Sequence, residues 1–359
     1  MNLKLLLFPV VLVFLATCHG QPNKVESDAA HPVQGKVLDD TVKVLSNNVM
    51  VIYQDKKNNY WFGSWQDGLY KFDGKLLVHL GEKDGLPSKR VEEIKEDKHG
   101  NIYVNTTQGL YRYDGKSFLK LTESLLNDSD WKFNPDDLWF KSLEYAGYVY
   151  RFDGIQLFRL KLPKTETGEG YIQKHPGNPS PYAIYCIYKD SKHNVWFGTA
   201  ALGVCRYNGK TFDWISESDV TELHDGPANG VRSIAEDENG DFWFNTMYRY
   251  RVYDSHTLNS HRFYTRHKSI GSLDGKKESD LNEFLSIIKD DNNHLWIAIY
   301  MNGVWKYDGK EIHHYPIQEK GKSIPIFCLY KDNFGDIWLG THENGAYKFR
   351  GNRFEKFAL

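Results

Sequence analysis

Cysteine is scarce in this sequence, and neither sign of charge is in excess. The chain has four cysteines in 359 residues. Setting Cys18 aside leaves Cys186, Cys205 and Cys328, an odd number that cannot all pair within one chain, and no Cys-x-x-Cys or Cys/His metal set is present. The formal net charge of −2 gives no electrostatic case for binding nucleic acid. These absences argue against a disulfide framework, a zinc module and a nucleic-acid-binding protein.

Several catalytic signatures and the helical period are also missing. The sequence contains no G-x-S-x-G elbow, no phosphate-binding P-loop and no His-Glu-x-x-His motif. It therefore gives no motif-based reason to expect a cofactor or a metal. Apolar residues follow no helical period over ten or more residues outside the N-terminus. We therefore predict an all-β fold.

The apolar run at the N-terminus has the features of a secretory signal peptide, predicted over residues 1–18. Lys4 precedes an apolar stretch at 5–16 that is short for a membrane span. The stretch ending at Cys18 resembles a lipoprotein box, with Thr17 where Gly, Ala or Ser is usual. The alternative is an ordinary secreted protein that is cut nearby. Residues 19–44 are polar and are interpreted as a tether, so we expect a periplasmic or outer-membrane lipoprotein that contacts the membrane only through its lipid.

The rest of the chain is a repeat. Seven copies centre on an aromatic residue, and the mean spacing is about 46 residues. The aromatics are Trp61, Tyr103, Trp139, Trp196, Trp243, Trp296 and Trp338. An Asp precedes each one, at Asp55, Asp97, Asp136, Asp190, Asp237, Asp291 and Asp332. Repeats of this length with aromatic and Gly signatures are typical of propellers, which have one four-stranded blade per repeat.

Each copy is predicted to contain four short antiparallel strands, named A to D in chain order. A β-rich run before the Asp is strand A, the aromatic run is strand B, a GLYKF-type run is strand C, and the run after an Asp-Gly or Asn-Gly turn is strand D. The Asp residues are interpreted as turn residues, because they lack the ligand spacing of a calcium loop. Copy 3 lacks a clear strand A before Asp136, and copy 5 has Arg249 where strand C should have Gly.

The pattern V-x-x-I-x-x-D-x-x-G-x-x-W-x-G-T…G-L-x-x-Y-D-G, present over residues 45–359, resembles the two-component regulator propeller repeat. That resemblance implies a single seven-bladed β-propeller like the periplasmic sensor domains of bacterial hybrid histidine kinases, which are found especially in glycan-using gut and soil bacteria. The linker domain, membrane helix and kinase of those proteins do not fit in this chain. We therefore expect a stand-alone binding module without its own output domain, and signalling would need a separate protein.

Function is expected where the repeat is interrupted. Extra residues at 161–182, 216–229 and 255–282 are predicted to follow strand D and precede the next strand A. In a meander these D–A connections share one face of the ring with the B–C loops; we call it the loop face. The predicted ligand-binding residues on it are Trp65, Asp67, Lys89, Arg90, Tyr145, Tyr182, Arg232, Tyr248, Arg249, Tyr300 and His342. Aromatic rings among charged groups suit an oligosaccharide, and a protein partner is the alternative.

An enzyme remains the second interpretation. Some propellers are lyases, and by that resemblance His342 and Glu343 are the first candidates for catalytic residues. His256, His261 and His267 match no zinc spacing and are interpreted as a solvated basic loop. His313 and His314 are adjacent on a strand, so they face opposite sides and cannot serve one site. A third interpretation is a docking module that binds a protein and no small ligand.

Overall fold

The computed structural model describes residues 40–125, 131–132, 134–216, 220, 230–244, 248–253, 263–268 and 284–359. The predicted signal peptide with Cys18, and residues 19–39 of the predicted tether, lie outside the described residues. So do His256, His261 and most of the stretches 216–229 and 255–282. In the described ranges, no helix combines the length and the apolar character needed to cross a membrane.

Seven mainly antiparallel sheets form the seven blades, as predicted. Six of them contain strands A to D in that order, with neighbours hydrogen-bonded. In blade 1 the strands A to D are Val51–Gln54, Tyr60–Gly63, Leu69–Phe72 and Leu77–Leu80. In blade 2 they are Val91–Glu96, Ile102–Thr106, Gly109–Tyr113 and Phe118–Lys120. In blade 4 they are Ile184–Lys189, Val195–Thr199, Val204–Tyr207 and Phe212–Ile215. In blade 5 they are Ala235–Glu236, Asp241–Trp243, Tyr248–Val252 and Tyr264–Lys268. In blade 6 they are Phe284–Lys289, Leu295–Ile299, Val304–Tyr307 and Ile312–Tyr315. In blade 7 they are Ile326–Lys331, Ile337–Thr341, Ala346–Arg350 and Arg353–Lys356.

In five blades a hydrogen bond between the repeated Asp and Trp fixes the A–B turn. In blade 1, Asp55 Oδ1 accepts the backbone N–H groups of Lys57 and Asn59, and Oδ2 accepts the indole N–H of Trp61 at 2.8 Å. The same Asp–indole bond occurs in blades 4, 5, 6 and 7 at 2.8–3.0 Å. The prediction that these Asp residues hold turns is confirmed there. In blade 6 the residue is Asp290, one position before the predicted Asp291, which pairs with Lys331 instead.

One apolar cluster lies between each pair of neighbouring blades, and the seven clusters close the ring. Blade 7 takes all four of its strands from the C-terminal part of the chain, so no strand from the N-terminal part completes it. Blade 7 meets blade 1 through Trp338 and Phe62, and the N–H of Val49 donates to the carbonyl of Thr341 at 2.9 Å. Closure therefore depends on packing and on backbone hydrogen bonds between the first and last blades.

Blade 3 departs from the pattern, as its sequence suggested. It has strands B, C and D at Leu138–Lys141, Tyr148–Phe152 and Leu157–Lys161, and its outermost strand is Glu123–Leu125, which pairs in parallel with strand D. Strand B is thus the inner edge of this blade. The chain instead passes on the outer side, where Trp131 packs between Trp139 and Phe197.

The remaining elements decorate the ring. Thr41–Val42, within the predicted tether, adds a fifth strand to the outer edge of blade 1. A 3-10 turn at Glu82–Asp84 and a short hairpin of Gln318–Glu319 with Lys322–Ser323 lie in D–A connections. The stretch 161–182 contains a helix, Glu166–Lys174, so the fold is nearly all-β. The stretch 255–282 was predicted to follow strand D of blade 5, but it contains that strand, Tyr264–Lys268, so the prediction that all of the extra residues follow strand D was wrong.

Polar side chains on the face opposite the loop face, which we call the turn face, join neighbouring blades. Each lies at the end of a strand A and binds the A–B turn of the preceding blade. Glu96 Oε2 accepts the N–H of Lys56 at 2.9 Å, and Glu236 Oε2 accepts the N–H of Ser191 at 2.7 Å. Many polar groups of the turn face are therefore used within the protein.

Candidate functional site

Four inner strands carry a β-bulge at their loop-face end. The A–B register shifts between the first and third residues of strand A in blades 2, 4, 6 and 7. The bulged residues are Glu92, Tyr185, Leu285 and Phe327. A bulge re-aims a side chain and is common next to functional sites. Strand A is the inner edge of these blades, so the bulged residues lie at the loop-face end of the ring's centre. We call them, together with the loop-face residues that contact them, the channel mouth.

Trp65, from the B–C loop of blade 1, connects three blades at the channel mouth. The guanidinium of Arg90 lies 4.0 Å from its ring centre, and the Phe327 ring meets it edge-on at 4.8 Å. His342 lies at 6.3 Å on the side of blade 7. Asn48 holds the loop, because its Oδ1 accepts the Trp65 N–H at 2.7 Å and its Nδ2 donates to the His342 carbonyl at 2.9 Å.

A charged cluster continues the channel mouth toward blade 3. Arg90 Nε donates to Glu92 Oε1 at 2.6 Å, and Lys141 Nζ lies 3.5 Å from Glu92 Oε2. Glu93 accepts the Lys141 backbone N–H and the Asn105 side-chain N–H, at 2.8 and 2.7 Å. Strand A of a complete blade would pair with this edge, so Glu93 replaces part of a missing strand.

Electrostatics keep Glu93 ionised in this cluster. Burial by itself would raise the pKa of its carboxyl. The charges of Lys95 and Lys141 and the two N–H donors outweigh burial, so that the pKa of Glu93 lies below its usual value. The inner edge of blade 3 therefore carries a permanently charged, hydrogen-bonded network where the other blades have a strand.

Two more of the predicted cations lie on the loop face. Arg232 stacks on Tyr185, with its guanidinium carbon 4.3 Å from the ring centre. Lys89 is exposed, and its carbonyl accepts the N–H of Gly68 from blade 1. Such contacts between a guanidinium and an aromatic face are attractive.

A groove of about 640 Å³ adjoins the channel mouth between blades 7 and 1. Asp67, His342 and Glu343 line it, together with the segment 44–48. The Asp67 carbonyl contacts His79 Nε2 at 2.6 Å, and its carboxylate accepts a hydrogen bond from the Tyr70 hydroxyl. The structure thus places Asp67 and His342 in one depression next to Trp65.

Four of the predicted residues lie elsewhere. Tyr182 is only 7% exposed, and its hydroxyl binds Thr165 at the start of the helix, so it has a packing role. Tyr145 packs under Arg159 of the outer strand D. Tyr248 and Arg249 are strand C residues and not loop residues; Tyr248 packs under Arg266 and Arg249 faces Asp241. Their inclusion in one funnel is not supported by these positions.

Tyr300 has a different setting. It lies in the B–C loop of blade 6 and is 47% exposed. Its carbonyl accepts the N–H of Ile326, which begins strand A of blade 7. It is therefore an exposed aromatic on the loop face, and no described residue of the channel mouth stacks on it in this structure.

The sequence interpretation missed Glu92, Glu93, Tyr185, Phe327 and Lys141. Strand A was treated as scaffold, because its apolar positions match the repeat. A signal was nevertheless present: the run Val91–Glu96 has two adjacent glutamates, which alternation places on opposite faces of the blade, so that at least one lies against a neighbouring blade where scaffold residues are usually apolar.

The proposed enzyme residues do not form a tight pair. His342 Nδ1 lies 3.9 Å from Glu343 Oε1, and Glu343 is exposed. Across the described ranges, no three His, Cys, Asp or Glu side chains are grouped to hold a metal ion. The three described cysteines are free thiols, and burial raises the pKa of Cys186 and Cys328 to about 12, which disfavours their reactive thiolate.

Comparison with known proteins was made on both sequence and structure. A family model described as the two-component regulator propeller matches residues 43–66, 178–201, 225–248 and 320–343. Each match begins before strand A and ends near strand B, in blades 1, 4, 5 and 7. The chain carries the regulator propeller repeat. No curated protein has a matching sequence.

Solved structures share the architecture of this regulator propeller. The extracellular domain of BT4673 from B. thetaiotaomicron, described as a hybrid two-component system, is 20% identical over 87% of this chain and 40% of its own, with a TM-score of 0.57. The corresponding domain of BT3049 from B. thetaiotaomicron is 20% identical over 87% of this chain and 41% of its own, with a TM-score of 0.53. Virginiamycin B lyase from Staphylococcus aureus is 16% identical over 86% of this chain and 98% of its own, with a TM-score of 0.58. The chain spans about two fifths of the length of the two extracellular domains. At these identities the likeness concerns the fold.

Proposed function

We propose that this regulator propeller is an exported recognition module that binds an extracellular ligand at the channel mouth. The observation that carries the proposal is the junction at Trp65, where side chains from blades 7, 1 and 2 meet beside the charged edge of blade 3. The apolar N-terminus and the fold shared with extracellular sensor domains support export.

The loop face suits a ligand better than the turn face. On the turn face, carboxylates such as Asp190 and Glu236 already accept several hydrogen bonds from their own or a neighbouring blade. On the loop face, bulges aim side chains at the inner rim, and a groove lies beside them. Oligosaccharides are the first ligands to test, because the mouth combines charged hydrogen-bonding groups with an adjoining groove.

A thermal-shift screen of the purified protein against oligosaccharides, followed by titration calorimetry, tests the proposal. Ligand at a hundred times its Kd stabilises the folded state by about 2.7 kcal/mol, so a hit is visible. Arg232→Gln and His342→Ala should each weaken binding about tenfold, which corresponds to losing one charge-assisted hydrogen bond. Lys192→Gln, an exposed change on the turn face, should leave the affinity unchanged.

The same mixtures separate the alternatives. Each mixture is analysed for reaction products, and product formation that His342→Ala abolishes would favour a lyase over a binding module. Equal weakening by the turn-face control would contradict the placement of the site. A ligand that binds but is insensitive to both loop-face variants would contradict it too.

A further inference from the structure

The guanidinium of Arg90 is fixed in place by the protein itself. Its Nε donates to Glu92 at 2.6 Å, and its plane lies over Trp65 at 4.0 Å. The side chain is nevertheless 45% exposed. A stacked and tethered guanidinium loses little conformational freedom when it binds a further partner.

The two terminal nitrogens of Arg90 remain available. Among the residues that the structure describes, neither of them donates a hydrogen bond to a protein acceptor. Together they offer a planar pair of N–H donors, which matches the spacing of two oxygens on a carboxylate or a sulfate. The donors are thus oriented and unused at the rim of the channel mouth.

The aromatic faces at the mouth, by contrast, are largely covered. Arg90 lies over Trp65 while the Phe327 edge meets the same ring, and Arg232 lies over Tyr185. A neutral sugar ring that needs a flat apolar surface finds little of it there. A ligand that approaches these rings would therefore contact the arginine side chains and not the aromatic faces.

The surrounding charges favour an anion. The cluster contains three cations, Arg90, Lys95 and Lys141, and two carboxylates, those of Glu92 and Glu93. Exposed Lys89 adds a further cation. The side chains of Glu92 and Glu93 are 8% and 12% exposed, and both already accept N–H donors or pair with lysines. An incoming group meets the cations first.

Resting on the proposed function, we infer that Arg90 binds an anionic group, a carboxylate or a sulfate, on the ligand. Glu92 is then a positioning residue: it accepts from Nε and directs the free edge of the guanidinium outward. Lys141 and Lys89 add positive potential, and they are not required to touch the ligand.

The chain contains a matched control for Arg90. Arg353 and Glu355 have the same spacing on strand D of blade 7. There Nε and Nη2 both bind the carboxylate, at 2.9 and 2.7 Å, so the fork is occupied by its own glutamate. A generic effect of removing an Arg–Glu pair should therefore appear equally in Arg353→Gln.

The experiment measures affinities of the full chain by calorimetry for three sets of probes. These are oligouronates, the same oligouronates as neutral methyl esters, and sulfated oligosaccharides, with inorganic sulfate as a fourth arm. The two charged sets identify which oxyanion is bound, and inorganic sulfate tests whether the anion alone suffices. Raising the salt concentration should weaken binding of the charged sets only.

We expect a charged set to bind at least tenfold more tightly than the methyl esters. Arg90→Gln should remove that difference, and Arg353→Gln should change it by less than twofold. Glu92→Gln keeps an acceptor for Nε but removes a negative charge, so it should tighten anion binding several-fold. Melting temperatures without ligand should show that the three variants are folded.

Other results overturn the inference. They are equal affinity for esters and free acids, no response to any charged probe, an unchanged affinity in Arg90→Gln, or weaker anion binding in Glu92→Gln. If a neutral ligand binds and is lost in Arg232→Gln and His342→Ala, the channel mouth remains the site and only the anionic group is rejected. Failure of those two variants as well would reject the proposed function.

Discussion

Single carboxylates hold the turns of this propeller. Asp190 is nearly buried, and its two oxygens accept N–H groups of Lys192 and Asn194 and the indole N–H of Trp196. Without the carboxylate, the buried indole N–H would be unpaired and the partly buried backbone N–H groups would lose their acceptor. An unpaired buried donor costs about 1–3 kcal/mol, so one side chain can stabilise a whole blade.

We therefore predict that Asp190→Ala lowers the free energy of unfolding by about 3 kcal/mol, through the loss of one buried hydrogen bond, to Trp196, and two partly buried ones, to the backbone of Lys192 and Asn194. Urea denaturation followed by tryptophan fluorescence measures it. Asp136→Ala is the control, because Asp136 is exposed and, in the described part of the chain, its carboxylate forms a surface ion pair with Lys98, a kind of contact that contributes little to stability. A similar loss of unfolding free energy in both variants would show that the hydrogen bonds of Asp190 do not stabilise the blade as described.

The same carboxylates predict acid sensitivity. Burial by itself would raise their pKa, but the surrounding N–H and O–H donors outweigh it, so the pKa of Asp97, Asp290 and Asp332 lies below its ordinary value. A depressed folded-state pKa stabilises the fold above the unfolded pKa, about 3.9, and this is lost as the pH falls below it. Asp137, whose burial raises its pKa, acts in the opposite direction.

The melting temperature should thus change little from pH 7 to 5 and fall steeply below about pH 4. Asp332→Asn should reduce the slope of that fall, because one of the responsible groups no longer titrates. Calorimetric scans across pH measure both curves. A variant slope as steep as that of the natural chain would count against the assignment.

Sequence reasoning performed unevenly at the residue scale. It recognised the Asp residues as turn residues, because their bonds are local. It took Trp65 and Tyr182 as open binding surfaces, yet Arg90 covers the first and the helix at Glu166–Lys174 covers the second. Those partners are distant in sequence or lie in an irregular connection, so no local pattern predicts them.

At the scale of elements, glycine at the end of strand B allows the next blade to approach. A Cβ on Gly340 would lie 2.5 Å from the Val49 carbonyl oxygen and 2.6 Å from Cys328 Sγ. The equivalent Gly198 would meet the carbonyl of Val231 at 2.4 Å. In blade 2 the position is Asn105, whose amide bonds Glu93 and the carbonyl of Lys141 where blade 3 has no strand A.

Gly340→Ala should therefore destabilise the fold by about 1–3 kcal/mol, because the clash is with backbone that also closes the ring. Gly170→Ala is the control: it lies in the helix with open space around its Cβ and should be neutral or stabilising by up to about 1 kcal/mol. Denaturation midpoints decide between them. Tolerance of Gly340→Ala would mean that the blades pack less closely than the structure shows.

The repeat made the strands predictable, and its interruptions limited the prediction. The sequence shows no clear strand A for blade 3, and none is present among the described residues of that blade. The outer parallel strand at Glu123–Leu125 was not foreseen, because a three-residue strand has no periodicity of its own. The bulges were hidden for a related reason: a register shift changes which side a residue faces without changing the residues.

At the scale of the whole molecule, one residue couples ring closure to the candidate site. Asn48 is buried between blades 7 and 1, and it bonds the carbonyl of His342, the hydroxyl of Ser64 and the N–H of Trp65. These contacts both close the ring and position two residues of the channel mouth.

Asn48→Ala should lower the free energy of unfolding by about 2–3 kcal/mol, because it leaves buried groups unpaired on both blades. It should also weaken ligand binding about tenfold, since Trp65 and Arg90 lose their fixed positions. Denaturation and calorimetry on the same sample measure the two effects. A stability loss with an unchanged affinity would separate ring closure from the site.

The central claim is the location of the site, and hydrogen–deuterium exchange with and without a bound ligand tests it most directly. We predict protection in peptides that cover residues 63–68, 89–93, 184–186, 326–328 and 341–343, which contribute to the channel mouth from blades 1, 2, 4 and 7. Peptides of the turn face, such as 55–60 and 190–195, should exchange at unchanged rates. Protection concentrated on the turn face, or on outer strands D, would contradict the account.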